Sequence, residues 1–207
     1  TAGRIVTPDW INGMDALKGM GITRNMLYVT DIDKLVEIDI EKGMIVKKYS
    51  IPGASFLNDI AAADDGTLYI SDMESNCIYK FKDGKAEKWL DIGRPNGMLF
   101  ESGRLFIGSM AEKAVYEVNI SDKTKRIAAK NDSGIDGLKM YKEGMFIASD
   151  WAGKTNLIDR QGVISMLLNT TAAEIQSADL EYVRELNLLL IPTFFDDRVA
   201  AYRIMEY

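Results

Sequence analysis

The sequence of 207 residues is 47% hydrophobic and carries a formal net charge of -6. A chain of this length can bury enough apolar surface to fold without disulfides or structural metals. Its acidic balance and its scattered basic residues argue against a nucleic-acid or anionic-membrane surface. No apolar run approaches the roughly 18 residues of a membrane-spanning helix. We therefore expect a soluble protein whose partner is a small molecule, with neither nucleic acid nor membrane as a partner.

Histidine is absent, and cysteine occurs once, at Cys77. The lack of histidine excludes Ser-His-Asp and Cys-His hydrolases and disfavours the usual zinc and non-haem iron sites. Cys77 lies in an alternating strand pattern and is interpreted as a small buried hydrophobe, because a catalytic thiolate needs a base or cation to activate it. The sequence begins without a charged and apolar leader, which leaves the compartment open; a periplasmic or secreted location is favoured over a cytoplasmic one.

A repeat of about 40 residues organises the chain. Its first run begins at five positions, namely Gly19, Asp59, Gly97, Gly137 and Asp179. A second run, rich in aromatic and β-branched residues, follows in each copy: Leu27 to Asp31, Leu68 to Asp72, Leu105 to Ser109, Phe146 to Asp150 and Leu189 to Thr193. Alternating third runs and glycine turns that open fourth runs complete the pattern of a four-stranded antiparallel unit.

Hairpin-linked quartets of strands at this period predict an all-β protein, a β-propeller with five blades. We expect a single domain over residues 1–207, with an outer strand and linker at 1–15. The blades are predicted at about 16–55, 56–94, 95–134, 135–176 and 177–207. The last blade has only three predicted strands, whereas Gly3-Arg-Ile-Val has the pattern of a fourth strand. Pairing of these strands would close the ring and remove its exposed edges.

Polar residues precede the first strand of most repeats in one register. The positions are Lys18, Asn58, Asn96, Asp136 and Ala178. First strands line the channel of a propeller, so these side chains are expected at one mouth of it, where amide and carboxylate oxygens suit Ca²⁺. The alternative is that they cap the turns by hydrogen bonds to the backbone, and spacing alone favours this role.

A second set of polar residues closes the second strands, at Asp31, Asp72, Ser109, Asp150 and Thr193. Here a turn-forming role is favoured more strongly, since Ser, Thr and Asp at the end of a strand commonly make turns. Trp151 and the pair Phe194-Phe195 are adjacent to this set, and they either pack a loop or face a ligand. Asp59, Asp72, Asp150 and Trp151 are further candidates for the channel mouth.

Three turns resemble those of a known family. Phe56-Leu-Asn58-Asp59, Arg94-Pro-Asn96-Gly97-Met98 and Ile135-Asp136-Gly137-Leu138 are similar to the characteristic turns of the senescence marker protein, gluconolactonase and luciferin-regenerating enzyme family. Those proteins are six-bladed propellers, and their lactonases hold one divalent cation over the channel. The resemblance covers nearly the whole chain, with the three motifs in the correct order at blade spacing.

The resemblance implies a role for each matching residue. Asn96 and Asp136 would be metal ligands, Asp136 would also be the general base, and Asn58 would contact the substrate or a metal-bound water. The family's remaining ligand, a glutamate in a first-blade turn, has no counterpart, because Leu17-Lys18-Gly19 occupies that register. Lys18 is therefore assigned to substrate binding, and its ammonium would weaken cation binding by charge repulsion. Either a first blade is missing or the metal site is degenerate.

Three functions are consistent with these residues. The favoured one is a gluconolactonase-like hydrolase that acts on a small lactone or sugar-derived cyclic ester, with a divalent cation, Ca²⁺ first, at the channel. The alternative is a non-catalytic propeller that binds a small ligand or a protein and whose metal site is degenerate or absent. The third is a scaffold without a channel ligand. Substrate identity and oligomeric state are left open, because specificity in such folds resides in loops.

Overall fold

The computed structural model describes residues 10–205. Two compact units divide between Ile92 and Gly93. The regular elements of the described chain are β-strands and three short 3-10 helices, and none of its helices is long and apolar enough to cross a membrane.

The first unit contains two four-stranded antiparallel sheets in which the strands follow one another in chain order. The first sheet comprises β1 (Leu17–Thr23), β2 (Met26–Asp31), β3 (Lys34–Asp39) and β4 (Met44–Ser50). The second comprises β5 (Leu57–Ala62), β6 (Leu68–Asp72), β7 (Cys77–Lys82) and β8 (Lys85–Asp91).

The second unit contains two further four-stranded sheets and one sheet with three described strands. The first comprises β9 (Pro95–Glu101), β10 (Arg104–Ser109), β11 (Ala114–Val118) and β12 (Lys125–Lys130). The next comprises β13 (Leu138–Lys142), β14 (Met145–Ser149), β15 (Lys154–Ile158) and β16 (Ile164–Asn169). The last comprises β17 (Glu181–Val183), β18 (Leu188–Pro192) and β19 (Val199–Arg203). The 3-10 helices are η1 (Thr171–Ala173), η2 (Arg184–Leu186) and η3 (Phe194–Asp196).

These sheets are the blades of a β-propeller, and the predicted all-β fold class is confirmed. Each sheet lies within the range that the repeat predicts for one blade. The predicted closure of the last sheet by the strand at residues 3–6 lies outside the described residues.

Strand alternation builds the core of each unit. In the first unit, Leu35, Leu57 and Ile70 are fully buried and belong to one cluster. Cys77 joins the same cluster, and its burial raises the pKa of the thiol, which agrees with its interpretation as a small hydrophobe.

In the second unit the core cluster joins the sheet of β9 to β12 to the sheet of β13 to β16. The rings of Phe106 and Phe146 lie 5.2 Å apart in a tilted arrangement, which is a favourable geometry for aromatic pairs. Ile135 and Leu138 are fully buried in this cluster on either side of a polar turn. The side chain between them, Asp136, is thereby fixed at the start of β13.

Glycine at the start of the first strands allows one strand to lie directly on the backbone of the next. A Cβ atom on Gly97 would lie 2.5 Å from the carbonyl oxygen of Asp136, and one on Gly137 would lie 2.7 Å from the amide nitrogen of Leu180. In the first unit, a Cβ atom on Gly19 would lie 2.5 Å from the carbonyl oxygen of Asn58. Because these obstacles are backbone atoms, any side chain would force the strands apart.

We therefore expect Gly137→Ala to destabilise the protein by at least about 2 kcal/mol, the range of strained overpacking. The matched control is Gly162→Ala, where φ is +79° and nothing lies within 4 Å of the added Cβ. That change should cost about 1 kcal/mol, from backbone strain alone. Urea unfolding followed by circular dichroism compares the two variants. Equal losses of stability would show that the close contact at Gly137 does not constrain the fold.

Candidate functional site

The candidate site in the second unit begins with the turn that precedes β13. The Asp136 amide donates to the Ser149 carbonyl over 2.8 Å, and the Ser149 amide donates to the Gly137 carbonyl over 3.0 Å. The Gly137 amide donates to the Ser149 hydroxyl over 3.0 Å. These three hydrogen bonds tie the backbone of Asp136 and Gly137 to Ser149 at the end of β14, so the side chain of Asp136 projects from a fixed position.

Asn96, Asp136 and Asp179 meet at the starts of three successive first strands. The Asn96 side-chain amide donates to Asp136 Oδ1 over 2.5 Å, and the Asp179 backbone amide donates to Asp136 Oδ2 over 3.0 Å. Asn96 is 3% exposed, and its Nδ2 also lies 3.4 Å from Met110 Sδ. Both oxygens of the Asp136 carboxyl are thus held by groups from neighbouring strands.

The surroundings of Asp136 favour its neutral form. Burial and, next in size, the negative charge of Asp179 raise the pKa of Asp136 to about 7. The charge of Asp150 acts in the same direction, whereas the hydrogen bonds from Asp179 and Asn96 oppose the shift. Burial also raises the pKa of Asp179, although the charge of Lys139 works against this. Two carboxyl groups therefore share a site in which a second negative charge is costly.

Asp179 differs from Asp136 in how its carboxyl is held. Its Oδ1 accepts a hydrogen bond of 2.6 Å from the amide of the next residue, Leu180, and its φ of +69° places it in the left-handed region. Asp179 is not among the site residues predicted from the sequence, because Ala178 occupies the register position in that repeat. The available signal was the alignment of Asp179 with Asp59 at the next position.

The side chains of Asn96, Asp136 and Asp179 offer the types of ligand that a hard cation such as Ca²⁺ binds, namely two carboxylates and an amide oxygen. They offer too few of them, because Ca²⁺ takes about 6–8 oxygen ligands. No group of three or more Asp, Glu, Cys or His side chains within residues 10–205 has the geometry to hold a metal. Backbone carbonyls, water or substrate would have to supply the remaining ligands.

Lys18, Asn58 and Asp59 lie in the first unit. The Lys18 ammonium lies 5.4 Å from the centre of the Phe56 ring, a cation–π contact. The Asn58 carbonyl accepts a hydrogen bond from the Thr30 hydroxyl. Asp59 is nearly buried, and its Oδ1 accepts from the Ile60 amide over 2.7 Å. These contacts orient the start of β5, as a turn-capping role requires.

Asp72 is a fully buried residue of the same unit, and its carboxylate binds the backbone of two turns. It accepts hydrogen bonds from the amides of Ser55, Phe56 and Ser75, at 2.8, 3.2 and 2.9 Å. Asp31 binds the amides of Asp15 and Ala16 in the same way. A carboxylate with three backbone donors organises its loop, which is the role that spacing favoured for this set of residues.

The corresponding residues of the second unit also bind turns. Asp150 Oδ1 accepts from the amides of Gly153 and Lys154, at 3.0 and 2.9 Å. The Thr193 hydroxyl both donates to the carbonyl of Arg198 and accepts from its amide. The hairpins that follow β14 and β18 are consequently stiff.

Trp151 lies in the first of these hairpins and is 40% exposed. Its ring centre lies 6.0 Å from those of Phe194 and Phe195, in edge-to-face geometry. The two phenylalanine rings are 4.8 Å apart. Trp151 therefore packs against the neighbouring hairpin, which is one of the two roles predicted for it. A large part of its surface is exposed to solvent.

Comparison with known proteins supports the fold. No family model matches the sequence, and no curated protein matches it. Catalytically inactive virginiamycin B lyase from Staphylococcus aureus, solved with quinupristin, has a TM-score of 0.72 at 13% identity over 97% of this chain and 69% of that chain. A gluconolactonase from Xanthomonas campestris has a TM-score of 0.69 at 16% identity, over 86% of this chain and 69% of that one.

A chain of a nidogen–laminin complex gives a TM-score of 0.68 at 14% identity, over 91% of this chain and 80% of that one. The three similar structures thus comprise a lyase, a gluconolactonase and a component of a protein complex. At such low identities the likeness concerns the β-propeller fold, and activity has to be argued from the site.

The raised pKa of Asp136 predicts how stability changes with pH in metal-free buffer. Because the pKa is about 7 in the folded state and about 3.9 in an unfolded chain, the folded state binds more protons between these values. The free energy of unfolding should thus fall as pH rises from 4 to 7, on the order of a few kcal/mol at about 1.4 kcal/mol per pKa unit. Urea unfolding with EDTA present measures this slope.

Asp136→Asn should flatten the slope and be more stable than the natural protein at pH 8, because it removes a partly buried negative charge that lies beside Asp179. Glu185→Gln is the control, since it removes one carboxylate from an exposed position on η2. It should keep the slope of the natural protein. If Asp136→Asn and Glu185→Gln give the same pH profile, Asp136 is not the group that titrates.

Proposed function

We propose that the protein is a gluconolactonase-like hydrolase of small lactones, related to the senescence marker protein, gluconolactonase and luciferin-regenerating enzyme family. The observation that carries the proposal is the Asp136 carboxyl, which is held by Asn96 and by the Asp179 amide beside a second carboxyl group. A gluconolactonase of similar fold supports it. The expected partner is a small molecule, and a periplasmic or secreted location stays a prediction.

Asn96 and Asp136, with Asp179 beside them, would hold a divalent cation, and Ca²⁺ suits their oxygen atoms best. A bound cation would supply Lewis acidity to the ester carbonyl. It would also neutralise the repulsion between the two carboxylates, which burial makes costly. Rotation of the Asn96 side-chain amide by half a turn would present its oxygen in place of its N–H groups.

Asp136 is the group best placed to move a proton. Without a metal the pKa of Asp136 is about 7; a cation bound beside it would lower that pKa, so that the carboxyl group would be ionised and able to accept a proton at neutral pH. As the oxygen of a water molecule bonds to the lactone carbonyl carbon, the carboxylate accepts the released proton. The ring carbon–oxygen bond then breaks, and Asp136 returns the proton to the departing alkoxide, so that the product is a hydroxy acid. Asp179 stays bound to the Leu180 amide, which holds its carboxyl group beside Asp136.

Lys18 favours a second candidate, a non-catalytic ligand-binding propeller. This residue occupies the register of the family's metal-binding glutamate, and its ammonium contacts the Phe56 ring. A cation–π contact of this kind fixes a positive charge at the start of β1. In that case Asn96 and Asp136 would bind a polar ligand by hydrogen bonds and would carry out no chemistry.

The hydrolase proposal predicts that Asp136→Ala abolishes both Ca²⁺ binding and lactone hydrolysis, because one residue provides the ligand and the base. We expect a loss in kcat of at least about 100-fold, the usual contribution of a general base. Calorimetric titration with CaCl₂ measures binding, and a pH-stat assay with glucono-1,5-lactone and δ-valerolactone measures turnover.

Glu185→Gln should leave binding and turnover unchanged, which controls for the loss of one negative charge from the chain. Asn96→Ala should weaken Ca²⁺ binding while the fold, checked by circular dichroism, is retained. Turnover by Asp136→Ala at the natural rate would rule out the hydrolase mechanism. Ligand binding without turnover of any lactone would favour the non-catalytic candidate.

A further inference from the structure

Three aromatic side chains of the second unit form an exposed cluster that the proposed chemistry does not use. Trp151, Phe194 and Phe195 are 40%, 44% and 72% exposed. Their rings meet edge to face with centre-to-centre distances of 4.8–6.0 Å. Large aromatic residues are usually well buried, so three of them in one exposed group indicate a binding surface.

This aromatic cluster lies at the same end of the blades as Asp136. The Asp136 amide donates to the carbonyl of Ser149, two residues before Trp151. The amide of Ala178, next to Asp179, donates to the carbonyl of Pro192, two residues before Phe194. Each hairpin that carries an aromatic residue is therefore tied to the start of the strand that carries a carboxyl group.

The cluster is held in place by its own turns. Asp150 binds the amides on the far side of the first hairpin, and Thr193 binds Arg198 across the second. Phe194 has a φ of +53°, in the left-handed region that bulky residues seldom adopt. Such strain persists where the surrounding structure imposes it, and it is common at ligand-binding positions.

We infer that Trp151, Phe194 and Phe195 form a platform for a flat apolar ring of the substrate, and that the preferred substrate is an aryl-fused or aryl-substituted neutral lactone. The inference rests on the proposed function, because it takes the ester to be bound at Asp136. Ring faces and edges stack favourably on other rings. The carboxylate of Asp150, the residue next to Trp151 in the first hairpin, would repel a ligand that carries a negative charge near the platform.

Two lactones test the platform, since both are six-membered esters and only one has a fused benzene ring. They are dihydrocoumarin and δ-valerolactone. In Phe195→Ser, kcat/KM for dihydrocoumarin should fall threefold to tenfold relative to δ-valerolactone, mainly through KM; this corresponds to the usual strength of an aromatic pair. Leu186→Ser is the matched control, because Leu186 is also exposed but lies on η2, at the other end of the sheet. It should leave the ratio unchanged.

A binding measurement separates the platform from the hydrolase. The hydrolysis-resistant lactam 3,4-dihydro-2-quinolinone should bind the full chain by calorimetry, with an affinity threefold to tenfold lower in Phe195→Ser and unaltered in Leu186→Ser. If the lactam binds in this way and no lactone is hydrolysed, the platform stands and the hydrolase proposal fails. The opposite result is that δ-valerolactone is hydrolysed and hydrolysis depends on Asp136, but Phe195→Ser changes neither lactam binding nor the ratio of kcat/KM for the two lactones. That result would overturn the platform and support the hydrolase proposal. Self-association that Phe195→Ser abolishes, without lactam binding, would also overturn it.

Discussion

Direct contact between the backbones of neighbouring first strands is the constraint on which the candidate site depends. Gly97 lies against the carbonyl of Asp136, and Gly137 lies against the backbone of Asp179 and Leu180. At so short a separation, the residue just before each glycine is necessarily close to the next strand. Asn96 therefore meets Asp136, and Asp136 meets Asp179, because the backbones touch. The proximity of these polar side chains is thus a consequence of how the backbones pack.

This packing also explains why two negative charges at the site are energetically unfavourable. A carboxyl group brought against a neighbouring carboxyl loses water and gains a like charge, and each change favours protonation. Hydrogen bonds from Asn96 and from the Asp179 amide offset only part of this cost. A proton offsets the remaining cost, and the divalent cation that we propose would do the same, so the two would compete for one pair of carboxyl groups. Binding of that cation would therefore be linked to proton release.

The strands and their hairpins were predictable because each repeat contains local signals, namely alternation along the strands and glycine at the turns. Cys77 was predictable for the same reason. Contacts between different repeats were harder to predict from the sequence. Asp179 was missed since its partner, Asp136, lies 43 residues away in sequence, and Ala178 holds the aligned position. The exposure of Trp151 could not be decided either, because a hairpin tip is covered or open according to what other loops contribute.

Two aspartates in the same register show how the carboxyl group of Asp136 differs from those that bind their own turns. Asp59 Oδ1 accepts from the amide of Ile60, and Asp179 Oδ1 accepts from the amide of Leu180. Both bind the backbone of the residue that follows, so both organise the start of their own strand. Asp136 stands one position earlier in the repeat, where its carboxyl reaches past its own turn to donors on adjacent strands. A carboxyl held by other strands can exchange those partners for a ligand without unfolding its own turn, and this freedom distinguishes Asp136 from the aspartates that cap.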